Sequence, residues 1–204
     1  MLERPSKIVC VGRNYAAHAK ELGNDVPAEP LIFLKPPSSL ITSGASIRLP
    51  RVSKQVEYEG EFGVVIGERL RRADAEQARR AVAGIVAAND VTARDLQRGD
   101  GQWSRAKGFD TFCPLGPWIE TSLDAGDVQV TTRLDGKTVQ DSRTSLMMHG
   151  VAALVAHVSS AFTLLPGDVI LTGTPAGVGP VQAGQHVEVE VEGIGVLSNV
   201  FVTR

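Results

Sequence analysis

The chain has 204 residues, 43% of them apolar, which is enough for one substantial core and is read as a single domain over 1–204. Its 21 basic and 23 acidic residues leave a formal charge of -2, with no basic block beyond Arg69-Leu70-Arg71-Arg72, so neither nucleic acid nor an anionic membrane is an expected partner. No apolar run approaches the roughly 18 residues that span a bilayer, no export signal is read, and Cys10 and Cys113, both in apolar context, are expected as buried reduced thiols of a cytoplasmic protein.

Residues 7–11 form a short β-rich run ending at Gly12. The RNYAAHAKEL stretch that follows has helix composition, with Asn14 as a candidate N-cap, and 14–23 could move as a lid. On that helix His18 and Glu21 are i, i+3 neighbours and can touch, although an ordinary surface pair is the simpler reading. Residues 31–34 read as a buried strand stopped by Lys35-Pro36-Pro37, with Lys35 a plain exposed lysine. A further short strand is expected at 47–49.

The stretch VEYEGEFGVVIG, residues 56–67, combines a structural signal with a chemical one. As one strand it places Glu57, Glu59 and Glu61 on one side and Tyr58 and Phe62 on the other, then dives into a core at Val64-Val65-Ile66. Like charges that close repel unless a cation sits between them, and hard cations such as Mg²⁺ and Mn²⁺ prefer carboxylate oxygens. The alternation fits a solvated strand face equally well, and a third ligand from elsewhere would decide.

From Asp74 the DAEQARRAVAG pattern predicts a helix with Asp74 as N-cap, Gln77 completing a capping box and Gly84 as stop. An apolar strand at 85–89 then delivers Asp90, read by itself as a cap for a turn at 91–95. Residues 97–102 read as a loop. Lys107 stands among small and aromatic residues where it could meet an anion, and 113–118 is a rigid, proline-bounded passage. Strands at 129–134 and 137–140 around Asp135-Gly136 predict a hairpin with a type I′ turn. Residues 145–162 predict a helix carrying His149 and His157, with Leu146, Val151, Leu154, Val155 and Val158 on its core face. A strand at 169–172, a glycine-rich loop at 173–180 and strands at 186–191 and 196–202 complete the chain. The loop lacks the Gly-Lys-Ser/Thr of a phosphate loop, but its backbone N–H groups could receive a carboxylate.

Six blocks, VCVGRNYAAHAKE, LIFLKP, YEGEFGVVIG, NDVTARDLQ, WSRAKGFDTFCPLGPW and LLPGDVILTGTPAGVGPV, occur in that order over nearly the whole chain. Together they resemble the fumarylacetoacetate hydrolase family, in particular its short acylpyruvase and oxaloacetate decarboxylase branch. The resemblance implies an α+β domain dominated by a strongly bent, mixed β-roll with a few outer helices, assembled as a homodimer. It implies Glu59, Glu61 and Asp90 as ligands of Mg²⁺ or Mn²⁺, with Glu57 outside that set as a supporting or surface acid. His18 and Glu21 match the family's lid-helix dyad and Lys107 its active-site lysine. Arg94 and Gln97 match substrate-side polar residues, and Thr174 a carboxylate clamp in the T-G-T-P loop. No separate N-terminal domain of the kind in the longest relatives is expected, and the connections at 97–103 and 119–128 look short.

The function so implied is divalent-metal-dependent C–C bond cleavage of a small 2-oxo dicarboxylate or acylpyruvate through a metal-bound enolate. Acylpyruvate hydrolysis would use water activated by His18, with Lys107 stabilising the oxyanion, and oxaloacetate decarboxylation would share the enolate. The nearest rival is an isomerase or tautomerase acting on 2-hydroxyhepta-2,4-diene-1,7-dioate or oxaloacetate. A non-catalytic metal-dependent binding protein is the rival from another class, but it leaves His18, Glu21 and Lys107 without a task.

Overall fold

A computed structural model describes residues 4–23, 25–116, 121 and 124–203. In chain order the first half contains β1 (Ile8–Gly12), α1 (Ala16–Glu21), β2 (Leu31–Lys35), β3 (Leu40–Thr42), β4 (Ser46–Leu49), β5 (Val56–Tyr58), β6 (Gly60–Ile66), α2 (Ala75–Arg80), β7 (Val82–Asn89), β8 (Thr92–Ala93), α3 (Arg94–Gly99) and α4 (Ser104–Lys107). The second half contains β9 (Cys113–Leu115), β10 (Gln129–Leu134), β11 (Lys137–Arg143), α5 (Val151–Ala161), β12 (Val169–Leu171), β13 (Gly179–Pro180), β14 (His186–Val191) and β15 (Gly195–Thr203). These strands form a seven-stranded sheet, β2-β1-β12-β6-β7-β9-β3, a five-stranded sheet, β11-β10-β14-β15-β4, and a small sheet, β13-β5-β8. Parallel pairs (β1 with β12, β3 with β9, β4 with β15) are a minority in an otherwise antiparallel arrangement. This is the mixed, strongly bent β-roll that the resemblance implied.

The seven-stranded sheet is apolar on both faces, and the period of two sorts its residues between two cores. Val9, Val11, Phe62, Val64, Ile66, Ile85, Ala87 and Ile170 point to one face, where Ala78 of α2, Leu154, Val155 and Val158 of α5, and Val130, Val189 and Leu197 of the five-stranded sheet cover them. Ile8, Cys10, Val65, Val86, Ala88, Val169 and Leu171 point to the other, where they meet Cys113 and Leu115 of β9. The curl of this sheet follows from one contact. β2 and β7 are separated by three strands, so in a flat sheet they would stand about 19 Å apart. Yet Lys35 Nζ at the end of β2 donates to Asp90 Oδ1, just past β7, at 2.5 Å.

Several local expectations hold. Asp74 and Gln77 form the reciprocal capping box, at 2.8 and 3.0 Å, and Asp135 and Gly136 carry the positive φ values (50° and 80°) of the predicted hairpin turn. Cys10 and Cys113 are buried and free. Among the described residues no helix is long and apolar enough to cross a membrane.

Other expectations are corrected. The glutamate stretch is two strands in two sheets, broken at Glu59, and none of its carboxylates faces solvent. β2 is an edge strand with Leu31 and Leu34 exposed, whereas Lys35, expected outside, is buried. Gly84 does not stop α2, because the helix ends before β7, where Gly67 N–H takes the Ala81 carbonyl at 2.7 Å. Residues 92–99 are β8 and α3 rather than turn and loop. α5 begins only after Gly150, leaving His149 outside it and Leu146 exposed. The cause is Asn14, which caps no helix but brackets His149, donating to its carbonyl (3.0 Å) and accepting from its N–H (2.9 Å). The first three residues of the 113–118 passage are β9 and Gly116 follows it, while the last two, with most of 119–123, lie outside the described residues.

Asp168 ties the first strand to its parallel partner β12. Its buried carboxylate accepts from Ser6 Oγ (2.7 Å), Lys7 N–H (3.1 Å), Leu165 N–H (2.8 Å) and the Lys7 ammonium. Burial opposes its ionisation, but the hydrogen bonds from Lys7, Ser6 and Leu165 win and hold its pKa below the usual carboxylate value. Asp168→Ala is expected to cost about 2–3 kcal/mol in urea denaturation, since it orphans two backbone donors. Because the folded pKa is the lower one, the wild type should lose this contribution as pH falls from about 4 through the folded value, and the variant should lack that acid limb.

Candidate active site

The site grows from the break between β5 and β6. At Glu59 the chain leaves the small sheet and enters the seven-stranded one, and the junction is held from three sides. Glu59 N–H donates to Asn89 Oδ1 (3.0 Å), Asp90 N–H to the Glu59 carbonyl (2.8 Å) and Gly60 N–H to Gln140 Oε1 (2.9 Å). Only glycine fits at position 60, where a Cβ would lie 1.9 Å from Thr132 Oγ1. The break turns Glu59 and Glu61 towards the end of β7, so that oxygens of Glu59, Glu61 and Asp90 all lie within 4.8 Å of one another, at 4%, 1% and 1% exposure.

Cations surround this triad. Lys107 Nζ bridges Glu59 Oε2 (2.6 Å) and Asp90 Oδ2 (2.8 Å), while Lys35 takes the other Asp90 oxygen. Arg94 donates to Glu59 Oε1 (2.5 Å), Glu57 Oε2 (2.7 Å) and Gln97 Oε1 (2.5 Å). Burial would raise the Glu59 pKa, but Lys107 and Arg94 hold it well below the usual range. Glu61 goes the other way: burial first, then the charges of Asp90 and Glu59, push it well up, and its one donor, Gly173 N–H at 2.8 Å, does not offset them. Lys107 is buried, yet Asp90 and Glu59 keep its pKa raised.

The helix α1 brings a second unit. His18 Nδ1 stands 3.2 Å from Glu21 Oε2, and the Glu21 carboxylate accepts from Gly177 N–H at 3.0 and 3.2 Å. Gly177 is in turn fixed by Tyr58, whose hydroxyl donates to its carbonyl at 2.8 Å. The glycine-rich loop thus does receive a carboxylate, and it is the chain's own. With Nδ1–H given to Glu21, the imidazole keeps Nε2 as its basic nitrogen.

Of the nine expected site residues, all but Glu21 line one cavity of about 260 Å³. Two are committed differently from expectation. Arg94 spends its guanidinium on Glu57, Glu59 and Gln97, so it fixes a ligand candidate before it can touch a substrate. Thr174 gives its hydroxyl hydrogen to the Gly60 carbonyl (2.8 Å) and accepts from Gln140 Nε2 (2.8 Å), which leaves no proton for a carboxylate clamp. Glu57 is buried between Arg94 and Gln55, not on the surface.

Sequence reasoning missed Lys35, Gln140, Arg13, Phe33 and Trp103. A lysine closing an apolar strand before Pro-Pro was the available signal for Lys35. For Gln140, buried on β11 and bonded to Gly60, Thr174 and Pro175, the signal was a lone amide in a hairpin, which is too common to single out.

The fumarylacetoacetate (FAA) hydrolase C-terminal family model matches residues 7–202. The chain belongs to the fumarylacetoacetate hydrolase family. Within this family of enzymes, a solved 5-carboxymethyl-2-hydroxymuconate delta-isomerase from Mycobacterium smegmatis is 51% identical, with a TM-score of 0.93 over 98% of this chain and 80% of that one. A mitochondrial oxaloacetate tautomerase of Arabidopsis thaliana is 44% identical over 95% of this chain and 90% of its own. A fumarylpyruvate hydrolase from Pseudomonas aeruginosa, solved with Mn²⁺ and pyruvate, is 34% identical, with a TM-score of 0.91 over 98% of this chain and 91% of that one. Fumarylacetoacetate hydrolase relatives thus include hydrolases, isomerases and tautomerases of small organic acids, and the acidic triad here has the composition a divalent ion would need.

Two variants test how the site is held. Gln140→Ala orphans Gly60 N–H and should cost about 1–3 kcal/mol in urea denaturation. Gly177→Ala places a Cβ 2.1 Å from the Val139 carbonyl at a φ of +103°, so it should displace the loop, release Glu21 and speed proteolytic cleavage near α1.

Proposed function

We propose that this chain catalyses divalent-metal-dependent proton transfer at C3 of a small 2-oxo acid, as a tautomerase or isomerase, with Glu59, Glu61 and Asp90 as the metal ligands. One observation carries the reading: the carboxylate triad, the His18–Glu21 pair and Lys107 meet at one cavity. The triad suits Mg²⁺ or Mn²⁺ because its donors are all carboxylate oxygens, without histidine or cysteine, and because the raised Glu61 marks a place short of positive charge. A bound ion supplies a Lewis acid to the keto and carboxylate oxygens of the substrate.

The chain's own residues do the rest. His18, oriented by Glu21, takes the C3 proton at Nε2 and delivers it to the other end of the enol system, the keto oxygen in a tautomerisation or the distal carbon in a diene isomerisation. Lys107 stabilises negative charge developing on the keto oxygen. Arg94 holds Glu59 in place, and Gln97 and Thr174 contribute to the substrate side of the wall. α1 acts as a lid that excludes water while His18 works. The identities of 51% and 44% to an isomerase and a tautomerase support proton transfer as the main outcome. The second reading is C–C cleavage, favoured by the hydrolase relative. There His18 takes a proton from water, the hydroxide attacks the distal carbonyl, and the C3–C4 pair stays with the pyruvate half. A single catalytic domain, assembled as a homodimer, belongs to the same proposal and is read by light scattering.

Purified protein with Mg²⁺ should be assayed for oxaloacetate tautomerisation, diene isomerisation and pyruvate release. Turnover should vanish on chelation and in Glu59→Gln; full activity in chelator-treated buffer would sink the metal reading. Lys107→Met should bind Mn²⁺ more tightly, having lost a competing buried charge, while turning over more slowly. His18→Ala should lower tautomerisation or hydrolysis by about 10²- to 10⁴-fold, with Glu21→Gln milder, and should spare more of any decarboxylation, which needs no base. Equal losses in all reactions would mean that His18 only latches the lid.

A further inference from the structure

One cation of the cavity is left unspent. Lys107 and Arg94 are bonded to carboxylates, and the exposed Arg98 gives a guanidinium N–H to Gln55 Oε1 at 2.6 Å. Arg13, just beyond β1, lines the same cavity, and its guanidinium has no ion pair or hydrogen bond to any described residue. Its guanidinium carbon stands 6.0 Å over the Trp103 ring centroid. The backbone at Arg13 is left-handed, with φ at 58°, a conformation unfavourable for a residue other than glycine. A partly exposed cation–π contact is too weak to offset that backbone cost. Stacking on Trp103 therefore does not by itself account for an arginine at this position.

Arg13 ends a wall whose other end is the triad. Lys107 Nζ lies 5.1 Å from the Phe33 ring centroid, and Phe33 meets Trp103 edge-on at 5.3 Å and 73°. From the triad outward the wall thus presents a cation, two aromatic rings and a second cation. A ligand complementary to it is anionic at both ends with an apolar or unsaturated middle.

We propose that Arg13 binds a second carboxylate at the far end of the substrate, so that the site selects 2-oxo dicarboxylates whose spacer lies along Phe33 and Trp103 over monocarboxylates of equal length. This rests on the 2-oxo acid reading above. It makes Arg13 a specificity-determining residue that leaves the proton-transfer groups untouched.

The test is calorimetric binding of 2-oxoadipate and of 2-oxohexanoate, which share a six-carbon chain and differ in one carboxylate, to the Mn²⁺-loaded protein. The wild type should bind the diacid at least about tenfold more tightly, the scale of one charge-assisted pair. Arg13→Gln should bring the diacid to the affinity of the monoacid and leave the monoacid unchanged, while Arg13→Lys keeps part of the preference. Arg13→Gly, which adopts the left-handed backbone freely, should bind like Arg13→Gln and melt no earlier than the wild type, separating lost charge from lost fold. Equal binding of both acids by the wild type, or a preference that survives Arg13→Gln, overturns the assignment and leaves the 2-oxo acid reading standing. Binding of neither acid defeats both.

Discussion

Four carboxylates and three cations share a volume almost closed to water, and the placement of Glu57, Glu59, Glu61, Asp90, Lys35, Arg94 and Lys107 is the constraint on which the rest of the fold depends. Removing a charge from water costs several kcal/mol, and pairing it recovers that cost only when geometry is close to ideal. Here nearly every charged oxygen and nitrogen has a partner at 2.5–2.8 Å, so the network is self-consistent, but it is not a source of stability. That such a cluster persists in a 204-residue chain argues that it is retained for chemistry, with the two apolar cores offsetting its cost.

The network also explains the architecture. Lys35 reaches Asp90 only because the large sheet curls, and Glu59 meets Asp90 only because the chain changes sheets at that residue. A continuous strand would have put Glu57, Glu59 and Glu61 in one row with no cation able to reach all three. The break separates their tasks: Glu57 backs Arg94, Glu59 is shared by Arg94 and Lys107, and Glu61 is left with a single backbone donor. That gradient leaves Glu61, whose pKa burial and its acidic neighbours raise, as the carboxyl least supported by the surrounding cations.

Much of this was legible in the sequence, and the exceptions share a cause. The capping box at Asp74, the Asp135-Gly136 turn and the terminal strands follow from local chemistry, so local reading finds them. The nine expected site residues came from motif resemblance, and the structure brings them to one place. Lys35, Asn14 and Gln140 were misread or passed over because their partners are 55, 135 and up to 80 residues away. Nothing in LIFLKP says that a lysine will be carried across a curled sheet. The helix boundary near Gly150 failed for the same reason, since the apolar period continues through Met147 and Met148 and only the distant Asn14 decides where the helix starts.

The same dependence on distant partners governs α1. A six-residue helix is too short to persist by itself, and only His18 and Ala19 of its residues are buried, so its position rests on tertiary contacts. The one polar tie reaching it from the glycine-rich loop is Gly177 N–H to Glu21, and Glu21 is also the group that holds His18 Nδ1. Orientation of the imidazole and docking of the helix therefore use one carboxylate. That carboxylate is partly exposed, so the tie is weak enough to open. In the proposed reaction, departure of the helix takes the oriented base out of the site in the same motion that admits water.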